Sequence, residues 1–249
     1  NNELYYFNES GVMVIGFVRV SDKEAYYFSP ENGKAVTGLK KAETGNIYYF
    51  DGKNGVKTGL QKIGDSLYYF NEKGVMLTGA IRVDNDSMYF FDEETGKAVT
   101  GFRTMSNGNR YYFGDDFKAV VGEQTIGSKV YYFNENGAML TGYISFSEEG
   151  KVKKYYLDEV TGESVSGFAK VNNKNTYYFN GDGTVKTGLQ KIGDYTYYFN
   201  ENGVMVTGYT PIIVNDSTQK FYFDLNDGKS LEGLYTSKEG NTYYFNGDG

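Results

Sequence analysis

An aromatic triplet recurs twelve times along this chain, and no other feature restricts its fold so tightly. The triplets begin at Tyr5, Tyr26, Tyr48, Tyr68, Tyr89, Tyr111, Tyr131, Tyr155, Tyr177, Tyr197, Phe221 and Tyr243, at spacings of 20 to 24 residues. Nine or ten residues after the last member of each of the first eleven comes a glycine, from Gly16 to Gly233. A fixed period of this length marks a unit too small to bury its own apolar face, so that neighbouring units must stack to make a core.

A second period lies over the first. The segment Asn32–Gly38 returns as Thr95–Gly101, Thr161–Gly167 and Asp227–Gly233, with triplets 63, 66 and 66 residues apart. "TGLQKIGD" at Thr58–Asp65 reappears unchanged at Thr187–Asp194. The array is therefore built of blocks of three units, one member of each carrying an extra turn residue, and three units are expected to make one structural turn.

Each unit reads as a β-hairpin. In a pleated strand the first and third residues of a triplet share one face and the second takes the other. The third place is Phe, once Leu157, and never Tyr. A position that excludes hydroxyls is a core position, because an unpaired buried OH costs roughly 1–3 kcal/mol. Turn residues such as Asn134–Gly137 follow, supplying the backbone conformations of a tight reversal. A short alternating strand such as Val75–Gly79 is then expected to pair back on the triplet.

Composition narrows the chemistry. With 26 Tyr, 18 Phe and 33 Gly, the chain is rich in residues that suit pleated surfaces and turns. It has no Cys, His or Trp, which removes disulfides, thiolate and imidazole metal sites and the Ser-His-Asp triad. Acidic residues repeat with the turns, and no unique pair stands in a segment long enough to build a hydrolytic cleft. The Asx-rich turns at Asn180–Gly183 and Asn246–Gly249 lack the ligand run of a calcium loop. No catalytic residue, metal or cofactor is expected. A net charge of −7 argues against nucleic acid and anionic membranes, and no apolar run is long enough to insert into a bilayer. The absence of an initial Met, with both ends inside the repeat pattern, suggests a single repeat array over 1–249 that is a fragment of a larger protein.

The triplet–turn–glycine pattern, as in "YYFNENGVMVTG" at Tyr197–Gly208 and "YYFNEKGVMLTG" at Tyr68–Gly79, resembles the cell-wall and choline-binding repeat superfamily. It resembles most closely the C-terminal repetitive domain of the clostridial large glycosylating toxins. The resemblance covers essentially the whole chain. It implies an all-β fold, a β-solenoid of stacked hairpins with an approximate three-fold screw. It also implies a secreted, extracellular domain that attaches to a cell-surface oligosaccharide or glycoconjugate. A monomer is expected. Glu123 departs from the pattern, standing where the family often places an aromatic residue.

Among ligands, sugars suit this composition. Pyranose C–H faces stack on tyrosine, and hydroxyls need fixed polar partners. Choline cages suit it less, since Trp is absent and only five of the eleven residues following the repeat glycines are aromatic: Phe17, Phe102, Tyr143, Phe168 and Tyr209. The divergent stretch between Arg110 and Tyr131 supplies the candidate carbohydrate-binding residues Arg110, Asp116, Lys118, Gln124, Thr125 and Lys129. The middle tyrosines Tyr112 and Tyr132 join them, expected to be exposed like Tyr178 and Tyr198. Packing between hairpins is the competing role for those rings. Two other functions stay open: a wall- or glucan-binding anchor of a bacterial surface enzyme or adhesin, and a spacer or protein-docking arm.

Overall fold

The computed structural model describes residues 3–21, 24–52, 55–85, 87–148, 150–182 and 184–246. Among them there is no helix, and so none long and apolar enough to cross a membrane. The strands form eleven two-stranded sheets and one three-stranded sheet. The fold is an all-β solenoid of stacked hairpins. The chain divides into two compact units, residues 1–122 with 135–138, and residues 123–134 with 139–249.

The pairing differs from the expected one in a specific way. The principal hairpin joins the strand that begins at each repeat glycine to the next triplet, as in Gly101–Thr104 with Arg110–Phe113. The segment after each turn holds its triplet mostly by one bridge, as Phe113 with Ala119 or Phe199 with Met205, although the expected strand at Val75–Gly79 does pair back, Met76 with Phe70 and Leu77 with Tyr69. The repeat glycine explains the division. It stands opposite the third triplet residue, Gly101 facing Phe113 and Gly167 facing Phe179, with φ of 83° and 101°. A side chain is strained in that conformation, and the chain leaves one partner there to begin the next hairpin.

Burial follows the alternation. Phe28, Phe50, Phe70, Phe91, Phe113, Leu157, Phe179, Phe199 and Phe223 are all less than 2% exposed. The first members, such as Tyr48, Tyr89 and Tyr155, are buried beside them. The middle rings are mostly half-buried rather than free. Most pack on the third residue of the following unit, as Tyr27 on Phe50 at 6.4 Å, Tyr69 on Phe91 at 6.2 Å and Tyr198 on Phe223 at 6.3 Å. Phe7, the third residue of the first triplet, is 56% exposed. The backbone ties neighbours together as well: the residue after each turn donates to the carbonyl before the preceding triplet, as Ala98 N to Leu67 O at 2.8 Å and Ser230 N to Thr196 O at 2.8 Å.

Candidate functional site: two tyrosine-walled grooves

The residue after each repeat glycine pairs across its hairpin with a middle aromatic. Most such pairs set Leu, Phe or Ala against the ring: Phe17 with Tyr27, Leu60 with Tyr69, Ala80 with Phe90, Leu189 with Tyr198. Among the described pairs at this position, only two set Tyr against Tyr, Tyr143 with Tyr156 and Tyr209 with Tyr222; a further such pair, Tyr235 with Tyr243, stands one residue along its own hairpin. These two hairpins are also the longest. Gly142–Glu148 pairs with Lys151–Leu157, and Gly208–Val214 with Ser217–Phe223, each strand having seven residues. Tyr143 and Tyr209, and likewise Tyr156 and Tyr222, are 66 residues apart.

A groove opens at each pair, where the long hairpin meets the next. The first has a volume of about 340 Å³ and lies between Tyr143, Tyr156 and Glu159 on one side and Lys170–Asn173 on the other. The second, of about 510 Å³, lies between Tyr209, Lys220 and Tyr222 and the following hairpin's Tyr235, Ser237–Glu239, Tyr243 and Phe245. Val171, Asn172 and Asn173 of the first wall stand 66 residues before Ser237, Lys238 and Glu239 of the second. One site is thus built twice, in register, one block apart, and both copies belong to the second unit.

The copies differ in how closed they are. Tyr143 stacks on Tyr177 at 6.0 Å, and burial raises its phenol above the ordinary value. In the second groove Tyr209 is 54% exposed and Tyr243 45% exposed, leaving two ring faces to solvent. The Tyr222 and Tyr235 rings meet at 3.9 Å. The neighbouring Tyr235 hydroxyl, and secondarily burial, holds the Tyr222 phenol above its usual range. Aromatic faces flanked by lysine and carboxylate groups can stack on an apolar ring face and hydrogen-bond its hydroxyls.

The residues picked from the divergent stretch are divided between the two units. Arg110, Tyr112, Asp116 and Lys118 lie in the first unit, and Gln124, Thr125, Lys129 and Tyr132 in the second. Arg110 sits over the Phe102 ring at 4.2 Å, and Phe102 meets Tyr112 edge-on at 4.9 Å. Asp116 caps its turn by accepting from Lys118 N at 3.1 Å. Between them Phe117 takes a φ of 65°, a left-handed conformation that costs a bulky residue about 1–2 kcal/mol. Gln124 is half-buried and Thr125 exposed on the strand Gly122–Ile126, while Lys129 pairs with Glu163 at 3.1 Å.

Tyr132 corrects the expectation of exposure, being only 4% exposed. In other units the residue after the repeat glycine packs on the next unit's first triplet ring, as Phe17 on Tyr48 at 4.6 Å and Phe168 on Tyr197 at 4.9 Å. Glu123 has no ring to offer. Tyr132 fills the place instead, 4.4 Å from Tyr155 and 5.7 Å from Phe146, and donates its hydroxyl to the Glu123 carboxylate. Burial, and then that hydrogen bond, pushes the Tyr132 phenol well above the ordinary tyrosine range. Of the Asx-rich turns considered for calcium, Gly183 and residues 247–249 lie outside the described residues. At Asn180–Asp182 the Asp182 carboxylate accepts from Thr184 N at 2.9 Å, a turn bond.

The grooves were missed in the sequence although their signals were present: the 24-residue triplet spacings that end at Tyr155 and Phe221, and a tyrosine after the repeat glycine in both of those units.

Stacked hairpins presenting repeated aromatic grooves define a repeat domain that resembles binding domains rather than catalytic ones. The chain belongs to the choline-binding repeat family: the choline-binding repeat matches residues 57–101, 120–167 and 186–232, and the putative cell wall binding repeat matches 1–13, 100–116, 166–184 and 233–249. It is similar to Glucosyltransferase-S of Streptococcus mutans, with 31% identity over 192 residues, 76% of this chain and 11% of that protein. It is similar also to Glucosyltransferase-I of Streptococcus downei, with 30% identity over 270 residues, 99% of this chain and 17% of that protein. The chain therefore spans less than a fifth of the length of either relative. Among solved structures it shares its fold with choline binding protein F of Streptococcus pneumoniae, at a TM-score of 0.61 and 24% identity, over 100% of this chain and 95% of that one.

Proposed function

We propose that this chain is a non-catalytic glucan-binding repeat domain that holds an extracellular bacterial enzyme to its polymer, and that the two tyrosine-walled grooves are its working sites. The observation that carries this reading is the duplication: the same Tyr–Tyr pair recurs 66 residues apart, faced by the same positions of the following hairpin, though with different side chains there. A repeated site suits a repeating ligand, because linked weak contacts multiply. Uncharged glucose rings present the apolar faces that tyrosine stacks on, and Lys220, Lys238 and Glu239 supply polar partners at the second groove.

The resemblance to clostridial toxin repeats supports a version of this reading in which the polymer is a host-cell oligosaccharide. The two streptococcal glucosyltransferase relatives favour glucan over it. The residues Arg110, Tyr112, Asp116 and Lys118, with Phe102, are proposed as an accessory sugar contact on the first unit; Gln124, Thr125 and Lys129 are proposed as another on the second, with Tyr132 as its buried support. The test is titration calorimetry of the chain with dextran, with purified streptococcal wall polysaccharide and with a host glycan panel. Saturable dextran binding weakened by Tyr209→Ala supports the proposal. Binding to host glycans alone returns the toxin reading, and binding to none rejects both.

A further inference from the structure

Four of the six methionines occupy one structural position, and it is always against the longer turn. Met13, Met76, Met139 and Met205 follow their own turns and face the turn glycine of the next unit: Gly33, Gly96, Gly162 and Gly228. In each case the sulfur stands where a Cβ on that glycine would be, 2.3 to 2.6 Å from its ideal position. These four glycines close the turns with the extra residue, each donating its N–H four residues back, to Ser29 O, Asp92 O, Asp158 O and Asp224 O at 2.8 to 2.9 Å. The shorter turns are faced differently, Gly74 by Val56, Gly203 by Val185 and Gly137 by Ala119. The thioether is the side chain that reaches the deeper seat of an extended turn.

We propose that these four methionines are oxidation sites at which a hydroperoxide loosens the stacking of the solenoid. The sulfur lone pair attacks the outer peroxide oxygen, the O–O bond breaks as the S–O bond forms, and the proton passes to the departing hydroxide or alkoxide. Sulfur is oxidised by two electrons to the sulfoxide, and the peroxide is reduced to water or an alcohol. The product is polar and chiral where the thioether was apolar and pliant. The seat cannot satisfy its oxygen, because the glycine N–H is already committed to the turn. Met13 is 43% exposed and leads the series. Met139 matters most for binding, since the turn it supports, Asp158–Gly162, carries Glu159 of the first groove.

The other two methionines provide the internal control. Met88 and Met105 pack with Phe113 and Tyr111 instead of a turn glycine. The experiment treats the intact chain with graded hydrogen peroxide, maps sulfoxides by peptide mass spectrometry and follows the thermal midpoint. Oxidation of the four seat methionines is expected to lower the midpoint by at least about 2–4 °C, and a methionine sulfoxide reductase is expected to restore it. The M13V/M76V/M139V/M205V chain, using the Val found at the shorter turns, is expected to keep its midpoint under peroxide. If it does not fold, the wild-type dose series and its reversal decide alone. Full sulfoxidation of the four with an unchanged midpoint overturns the proposal, as does a loss that tracks Met88 and Met105.

Discussion

The carboxylate of Glu123 accepts a hydrogen bond from the Tyr155 hydroxyl at 3.2 Å and a second, shorter one from Tyr132. It does so at the position from which Phe17, Tyr143 and Phe168 press an aromatic ring onto the next triplet. Here a carboxylate bridging two phenols stands in place of that ring contact, and a middle tyrosine lies in the interior. Both phenols are raised above their ordinary value, chiefly by burial.

That arrangement gives an alkaline signature. A tyrosine whose proton is held more tightly in the folded state contributes stability that is complete below its unfolded pKa of about 10 and lost as pH climbs from there toward the folded value. Urea unfolding between pH 8 and 11.5 is expected to show stability falling above about pH 10, and Tyr132→Phe is expected to blunt the fall. Glu123→Ala, measured at pH 7, leaves a buried hydroxyl without its acceptor and is expected to cost about 1–3 kcal/mol. An unchanged pH profile in Tyr132→Phe would remove the phenol from the account.

The third triplet position admits Leu157 once and Tyr never, and Phe113 shows why, being fully buried opposite Gly101. Phe113→Leu is expected to cost under about 1.5 kcal/mol by conserving an apolar filling. Phe113→Ala is expected to cost about 3–5 kcal/mol through the cavity it leaves. Phe113→Tyr should fall between them, since it buries a hydroxyl with no partner. Denaturant midpoints of the three variants, at constant slope, check the order.

Much of this structure could be read from the chain before any coordinates. The exclusion of Tyr at Phe113 and its equivalents marked the core, and the 66-residue return of Asp227–Gly233 marked the block. The partner of each triplet could not be read as easily. Strand signals lie on both sides of every Tyr-Tyr-Phe, and only the positive φ of residues such as Gly101 decides that the longer pairing is with the preceding segment. The two candidate grooves are hard to read from the chain for a related reason. Divergence drew attention to Arg110–Lys129, but the grooves arise from repetition with a lengthened hairpin, Tyr143 and Tyr209 each facing a second tyrosine across the strand pair. Tyr132 could not be distinguished from Tyr178 by pattern alone, because its burial depends on the missing ring at Glu123, a contact between units.

The methionine seats separate two costs that a turn glycine usually combines. Gly101 and Gly96 both have positive φ, but a Cβ on Gly101 meets nothing within 4 Å, whereas one on Gly96 falls 2.5 Å from the Met76 sulfur. Gly101→Ala therefore reports backbone strain alone, about 1–2 kcal/mol. Gly96→Ala is expected to lose more, by roughly 1–3 kcal/mol of overpacking. Adding Met76→Ala to Gly96→Ala should recover part of the excess, giving a favourable coupling energy in the double-mutant cycle. Strict additivity would mean that Met76 and Gly96 do not share the seat.

The two grooves make a quantitative demand on ligand binding. Tyr209 is the most exposed ring of the second groove's Tyr–Tyr pair, so Tyr209→Ala removes a stacking face while disturbing stability by no more than about 0.5 kcal/mol. Loss of one aromatic stacking contact, worth about 0.5–1.5 kcal/mol, predicts a roughly 2- to 12-fold weaker affinity for a short gluco-oligosaccharide at that groove. A long dextran spans both sites. Because linked affinities multiply, either single variant, Tyr143→Ala or Tyr209→Ala, should weaken polymer binding by the same roughly 2- to 12-fold, and the double variant by the product of the two factors, up to about 10²-fold. Calorimetry with oligosaccharide and polymer side by side checks both numbers. A polymer loss in the double variant no larger than that of one groove alone would show that the copies act singly, and the 66-residue register would then reflect duplication of the fold without joint use of its grooves.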